Sequence, residues 1–139
     1  MAKIVVSDID FEDTDLEQEL VEGAGIEFAR FQDRTPEGII RNAAGAQGII
    51  TSYGDFTAEV FEALPDLRVV SRTGVGYDSI DIAAATEHGV AVCNVPGYGT
   101  EVVSDHAITL ALACLRRINE LDRDIKAGVW DFARTRPLG

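Results

Sequence analysis

The residues best suited to chemistry form a short glycine-containing segment near the middle of the chain. Residues 72–81 read RTGVGYDSID, follow the apolar run at 67–70 and precede a helical pattern. Because glycine lets an anion approach the main chain, the N–H groups of such a loop can hold a carboxylate. A dinucleotide fingerprint would need a third glycine at position 79, where Ser79 stands. The segment therefore predicts a site for an anion smaller than a dinucleotide.

Other polar side chains have weaker claims to a chemical role. Arg72 lies directly before the glycine loop, where it could bind a substrate anion or form a salt bridge at the end of a strand. Asp8 and Asp10 could suggest a metal, but no third ligand accompanies them, so a solvated loop is expected. His88 is expected to interact with the end of a helix, and His106 to pack rather than to transfer protons. No metal site is predicted.

The elements that must position these residues alternate between strand and helix. The sequence predicts strands at residues 4–6, 26–29, 48–51, 67–71 and 90–92, and helices at 13–21, 35–44, 57–64 and 79–88, the last capped by Asp78. Repeated βα units of this length predict a five-stranded parallel sheet with helices on both faces.

After residue 97 the pattern changes to one long helix. Thr100 is the expected N-cap, and the helix should run from 102 to 121 with an apolar stretch at 107–115. A helix that is apolar on nearly all sides must be covered on all sides. We expect a second subunit or a further domain to cover it, and a central core helix of one domain is the alternative.

Composition limits the class of partner. The 139 residues carry 24 acidic and 12 basic side chains, so nucleic acid and anionic membranes are disfavoured as partners. Lys3 and Lys126 are the only lysines, a usage that favours a protein working in high salt over an ordinary acidic cytosolic one. Without a leader or a membrane-spanning pattern, the expected location is the cytoplasm. Cys93 and Cys114 are expected to be buried free thiols.

Three segments carry a resemblance to a known family. They are LRVV at 67–70 with the glycine segment at 72–81, then GVAVCNVPG at 89–97, then TEVVSD at 100–105. Trp130 lies where proteins with these segments often have a tryptophan. In order and spacing the chain resembles the D-2-hydroxyacid dehydrogenases, which include phosphoglycerate dehydrogenase and the C-terminal-binding-protein co-repressors. Arg72, Cys93 and Asn94 look closest to the co-repressor-like branch.

The resemblance implies a flavodoxin-like, substrate-binding portion of a two-domain enzyme. Main-chain N–H groups of Val75 and Gly76 would hold the substrate carboxylate, with Arg72 beside them. Ser52 corresponds to a position that lines the substrate cleft, as Tyr53 does with less certainty. The substrate would be a small 2-hydroxy or 2-oxo acid.

The same resemblance implies a cofactor and a partner. Val75 and Val103 correspond to positions that touch the nicotinamide end of NAD or NADP, and the helix from Glu101 would form a homodimer interface. Residues 1–99 would be the substrate-binding domain and 100–139 the interface helix with the start of a cofactor domain.

The resemblance also limits what this chain can do alone. The fingerprint and the acid/base residues of the family would lie downstream, so no catalytic residue is assigned and no turnover is expected. A deliberately truncated chain, a proteolytic remnant and a split gene product remain open. A non-enzymatic binding or oligomerisation module is the alternative function.

Overall fold

A computed structural model of the protein describes residues 1–131 and residue 133, in which strands and helices alternate. The strands are β1 (Lys3–Asp8), β2 (Glu27–Arg30), β3 (Gly48–Thr51), β4 (Val69–Arg72) and β5 (Ala91–Cys93). The helices are α1 (Asp15–Gly23), α2 (Pro36–Asn42), α3 (Ala58–Ala63), α4 (Ile82–Glu87), α5 (Thr100–Leu115) and α6 (Ile118–Lys126). The five predicted strands are therefore confirmed in the described part of the chain.

All five strands are parallel and lie in the order β2-β1-β3-β4-β5. Because crossovers between parallel strands are right-handed, the reversal of direction after β2 places α1 on one face and α2, α3 and α4 on the other. The carboxyl ends of all strands meet at one edge of the sheet, and the loops that follow them can converge there.

The hydrophobic core lies on the face covered by α2, α3 and α4. Val5, Ile49 and Val70 are adjacent in register on β1, β3 and β4, and all three are buried. Their neighbours complete one cluster, which consists of Ile39, Ala43, Ala46, Phe56, Val60, Phe61, Leu64, Leu67, Ile80, Ala84, Ala85 and Val90. This cluster fixes the strands whose ends carry the polar residues.

The opposite face is covered unevenly. Along the register row from β1 to β5, Val6 is buried, Ile50 and Ser71 are half-buried, and Cys93 is exposed. Helix α1 packs mainly against β2, which is at the opposite edge of the sheet from β5. The prediction that Cys93 is buried is therefore wrong, although its thiol is free.

Helix α4 begins later than predicted. Its N-cap is Asp81, whose side chain accepts a hydrogen bond from the main chain of Ala84 at 2.9 Å, so the predicted cap Asp78 is wrong. Ile80 is the cause, because it forms a parallel bridge with Phe56 and is only 4% exposed. Residues 77–80 form a turn in which the Ile80 N–H donates to Tyr77 O at 3.0 Å, and the helix starts only after Ile80 is buried.

The chain divides into two compact units, Met1–Pro96 and the part from Gly97 onward. In the second unit the predicted helix at 102–121 is two helices, because Arg117 has a left-handed backbone conformation with φ of 55°. Gly99 occupies the N-cap of α5, so Thr100 is the first helical residue and not the cap.

Helix α5 presents its apolar side chains without burying any of them in the described part of the chain. Val102, Ile108 and Leu112 are 73%, 60% and 55% exposed. Cys114 is exposed as well, so its predicted burial is wrong and only its free thiol is confirmed. Of the helices that the structure describes, none is long and apolar enough to cross a bilayer.

Candidate functional site

Arg72 ends β4 and lies against the glycine loop that follows. Its Nε donates a hydrogen bond to the main-chain oxygen of Ser52 at 3.1 Å. The guanidinium, at the end of the flexible Arg72 side chain, occupies the position that a Cβ at Gly74 would take. Gly74 and Gly76 lack the left-handed backbone that favours glycine. At Gly74, glycine therefore serves the close approach of the guanidinium.

The loop presents main-chain N–H groups beside this guanidinium. Within the described residues, the N–H groups of Val75 and Gly76 donate to no protein acceptor. The carbonyl groups of Gly74 and Val75 are engaged, because Val95 N–H donates to Gly74 O at 3.0 Å and Asn94 Nδ2 donates to Val75 O at 2.7 Å. The Val75 and Gly76 N–H groups are therefore available to an anion, while the two carbonyl groups before them already have partners.

Ser52 lies at the end of β3 and is 3% exposed. Its Oγ is 2.8 Å from Oγ1 of Thr73, and its carbonyl accepts the Arg72 bond described above. The structure thus brings together three of the predicted substrate-binding positions, Ser52, Arg72 and the loop, through contacts between the ends of β3 and β4.

Tyr53 stands beside them with its ring near two guanidinium groups. The guanidinium carbon of Arg34 lies 4.7 Å and that of Arg72 5.7 Å from the ring centroid, within cation–π distance. The phenol donates to Asp10 at 2.8 Å, and this hydrogen bond to a carboxylate raises the pKa of Tyr53 above 10.0. The tyrosine therefore remains a neutral donor at physiological pH.

Asp8 corrects the prediction of a solvated loop. Its side chain is fully buried, accepting from the Thr51 hydroxyl at 2.6 Å and from the Tyr53 main chain at 2.8 Å. Arg34 Nε adds an ion pair at 3.2 Å. Asp8 therefore fixes the chain leaving β3, including Tyr53. The available sequence signal was an acid at the end of the first strand, together with Thr-Ser at the end of the third.

Asp10 is exposed, as a solvated loop residue would be, but it also takes part in this cluster. It accepts the Tyr53 phenol, and the Ser52 hydroxyl lies 3.5 Å away. Among the described residues no group of three His, Cys, Asp or Glu side chains could hold a metal ion. The two carboxylates thus orient side chains around the strand ends.

The remaining candidate residues lie elsewhere. His88 forms the C-cap of α4, and its Nδ1 is 2.9 Å from the carbonyl oxygen of Ala84, as predicted for a residue at the end of that helix. Val103 and His106 belong to α5 in the second unit, where both are exposed. A cofactor contact for Val103 remains a prediction, and so does a packing role for His106.

A family model for the catalytic domain of D-isomer specific 2-hydroxyacid dehydrogenases matches residues 4–135. The chain belongs to this family. The parallel sheet and the loop after β4 are thus features of a D-2-hydroxyacid dehydrogenase domain.

Individual relatives of this dehydrogenase domain are much longer than the chain. The glyoxylate reductase of Korarchaeum cryptofilum is 42% identical over 96 residues, covering 68% of this chain and 29% of that protein. The D-3-phosphoglycerate dehydrogenase of Archaeoglobus fulgidus is 39% identical over 108 residues, covering 77% and 20%. A solved structure, NAD-dependent formate dehydrogenase from Staphylococcus aureus in complex with NAD, matches with a TM-score of 0.76 and 26% identity, covering 97% of this chain and 44% of that one. The match spans less than a third of each curated relative.

The dehydrogenase family uses a dinucleotide cofactor, so the fit of its pyrophosphate to the glycine loop can be tested. Helix α4 has only six residues, and the Asp81 carboxylate already accepts an N–H at its first turn. A pyrophosphate there would face a negative charge, and Ser79 stands where the dinucleotide fingerprint needs its third glycine. This loop therefore does not fit a pyrophosphate.

Proposed function

We propose that this chain is the substrate-binding portion of an NAD(P)-dependent D-2-hydroxyacid dehydrogenase and that its glycine loop binds the carboxylate of a small 2-hydroxy or 2-oxo acid. The observation that carries the proposal is the Arg72 guanidinium lying against a loop whose Val75 and Gly76 N–H groups have no protein acceptor in the described residues. A carboxylate between them would receive two main-chain hydrogen bonds and charge-assisted bonds from the Nη groups of Arg72.

The charge distribution supports an anionic ligand at Arg72 in particular. Of the two arginines beside Tyr53, Arg34 pairs with the buried carboxylate of Asp8. Arg72 has no carboxylate within ion-pair distance in the described part of the chain, and its recorded hydrogen bond uses Nε alone. Its two Nη groups are therefore free to donate to a ligand, and a carboxylate matches that planar geometry.

The proposed reaction needs parts that these residues do not supply. Hydride transfer requires a placed nicotinamide, NAD or NADP, and a proton donor near the carbinol oxygen. Within the proposal, Val75 and Val103 contact the nicotinamide end, and Ser52 lines the substrate cleft. We propose that the chain alone binds substrate but does not turn it over.

Two further properties belong to the proposal. The exposed apolar side chains of α5 support a homodimer formed through the helix that contains Glu101. The excess of acidic over basic residues supports function in high salt. The cytoplasm is the location we propose. A non-enzymatic binding or oligomerisation module of co-repressor type remains the alternative function.

The proposal is tested by titrating the ¹⁵N-labelled chain with oxamate, an unreactive 2-oxo acid analogue. The main-chain signals of residues 72–77 should shift, with weak affinity because a second domain would normally enclose the ligand. Arg72→Ala should weaken binding about tenfold or more, since a hydrogen bond to a charged group contributes about 1.5–3 kcal/mol.

Arg68→Ala is the matched control, because it removes the same charge from an exposed residue immediately before β4, at the end of the strand away from the loop. It should leave oxamate binding unchanged. Shifts confined to residues outside the loop, or equal losses in both variants, would contradict the proposed site. Measurable NAD(P)-dependent oxidation of a 2-hydroxy acid by the chain alone would contradict the claim that it does not turn over.

A further inference from the structure

The glycine loop after β4 is held from the side of β5. Two hydrogen bonds reach it, one from the main-chain N–H of Val95 to Gly74 O and one from the side chain of Asn94 to Val75 O. We infer that Asn94 is a positioning residue that aims the anion-binding N–H groups of the loop without touching the ligand. This inference rests on the proposed function, because it concerns the same carboxylate site.

Peptide geometry carries the argument. In a trans peptide unit the C=O and the following N–H point in opposite directions, and the described chain has no cis peptide bond. The Val75 carbonyl points at Asn94, so the Gly76 N–H points away from β5. The Gly74 carbonyl points at Val95, so the Val75 N–H points away from β5 as well. Both free donors are therefore turned to the same side of the loop.

The Asn94 bond is needed because little else fixes this peptide. Val75 is 47% exposed, and glycines flank it on both sides, so the main chain has unusual freedom. Within residues 73–81 the Ile80 N–H donates to Tyr77 O at 3.0 Å, and this turn does not include the peptide between Val75 and Gly76. Without Asn94, the peptide between Val75 and Gly76 could rotate and present its carbonyl to the anion.

The chemistry at position 94 is specific for an amide. Asn94 acts through the N–H of its Nδ2, and an ionised carboxylate of the same shape has no such donor. The isosteric Asn94→Asp change therefore separates hydrogen bonding from simple filling of space. Molar salt screens the added charge at distances beyond about 3 Å.

The experiment compares oxamate binding by the unmutated full chain with binding by the variants Asn94→Ala, Asn94→Asp and Asn42→Ala. Binding is monitored in molar salt through the ¹⁵N signals of the main chain and of arginine Nε. Asn42 is the matched control, because its Nδ2 also donates to a main-chain oxygen, that of Gly38 at 2.8 Å, within α2. Both changes at Asn94 should weaken affinity about fivefold, the effect of one neutral hydrogen bond. Asn42→Ala should bind as the unmutated chain does.

The pattern of shifts distinguishes positioning from general damage. In the Asn94 variants the oxamate-induced shifts of Val75 and Gly76 should shrink, while the Arg72 Nε signal still responds and the core signals stay dispersed. Unmutated affinity in Asn94→Ala, or in Asn94→Asp, would overturn the inference and leave the proposed function standing. Absence of any loop shift in the unmutated chain would overturn both.

Discussion

Replacing Asp8 with Asn should destabilise the fold far more than the loss of one charge explains. Asp8 is fully buried, and its two oxygens have separate duties. Oδ1 accepts from the Thr51 hydroxyl and Oδ2 from the Tyr53 main chain, while Arg34 Nε lies 3.2 Å from Oδ2. An amide keeps only one oxygen, so an NH₂ group must face the donors on one side.

The magnitude follows from these contacts. If the NH₂ group of the substituted side chain faces the Tyr53 N–H, that partly buried N–H loses its acceptor, which costs about 1–3 kcal/mol. The Arg34 side chain is 51% exposed, so its ion pair adds no more than about 1 kcal/mol after screening by solvent. The free energy of unfolding should therefore fall by about 1–4 kcal/mol. For a domain of this size the melting temperature should fall by roughly 10 °C.

Urea unfolding of the unmutated chain and of Asp8→Asn in the same buffer measures this difference in free energy. An unchanged m-value would show that unfolding exposes the same amount of surface in both chains. Asp10→Asn is the matched control, because it removes the same charge from an exposed neighbour that accepts the Tyr53 phenol. That variant should lose less than about 1 kcal/mol. Equal losses in the two variants would refute the reasoning that the buried hydrogen bonds of Asp8 fix the end of β3.

Two further predictions concern the charge balance and α5. Raising salt from low to molar concentration should raise the melting temperature, because 24 acidic residues against 12 basic ones repel one another less when screened, and a flat or falling midpoint would contradict it. Leu112→Asp should dissociate or unfold the proposed dimer in light scattering at high salt, because it buries an unpaired charge. Leu20→Asp, at a leucine of α1 that is also more than half exposed, should leave the dimer intact. A monomeric unmutated chain would contradict the interface.

The strands were predictable because their signals are local. The apolar runs and the glycines and prolines between them depend on neighbouring residues, and these positioned all five strands. The end of α5 was not predictable in this way, because Arg116 and Arg117 are compatible with a helix and no glycine or proline interrupts the sequence there. The left-handed conformation of Arg117 interrupts the helix, and an arginine does not predict this conformation.

The role of Asp8 depends on partners that are distant in sequence. The hydroxyl and main-chain groups that it accepts from lie 43 to 45 residues later, so its burial arises only when β1 and β3 pair. The N-cap of α4 was missed for a related reason. Both Asp78 and Asp81 suit a cap, and the burial of Ile80 against the core selects Asp81.

These non-local hydrogen bonds connect the ends of neighbouring strands and support the loop after β4. Asp8 at the end of β1 fixes the chain leaving β3, and Ser52 at the end of β3 accepts the Arg72 bond. From the other side, Asn94 beyond β5 holds the Val75 carbonyl. The proposed anion site is thus supported by neighbours on both sides, so its affinity should respond to residues that never contact the ligand. A single sequence shows the glycines and the arginine of this site but not the hydrogen bonds that orient them.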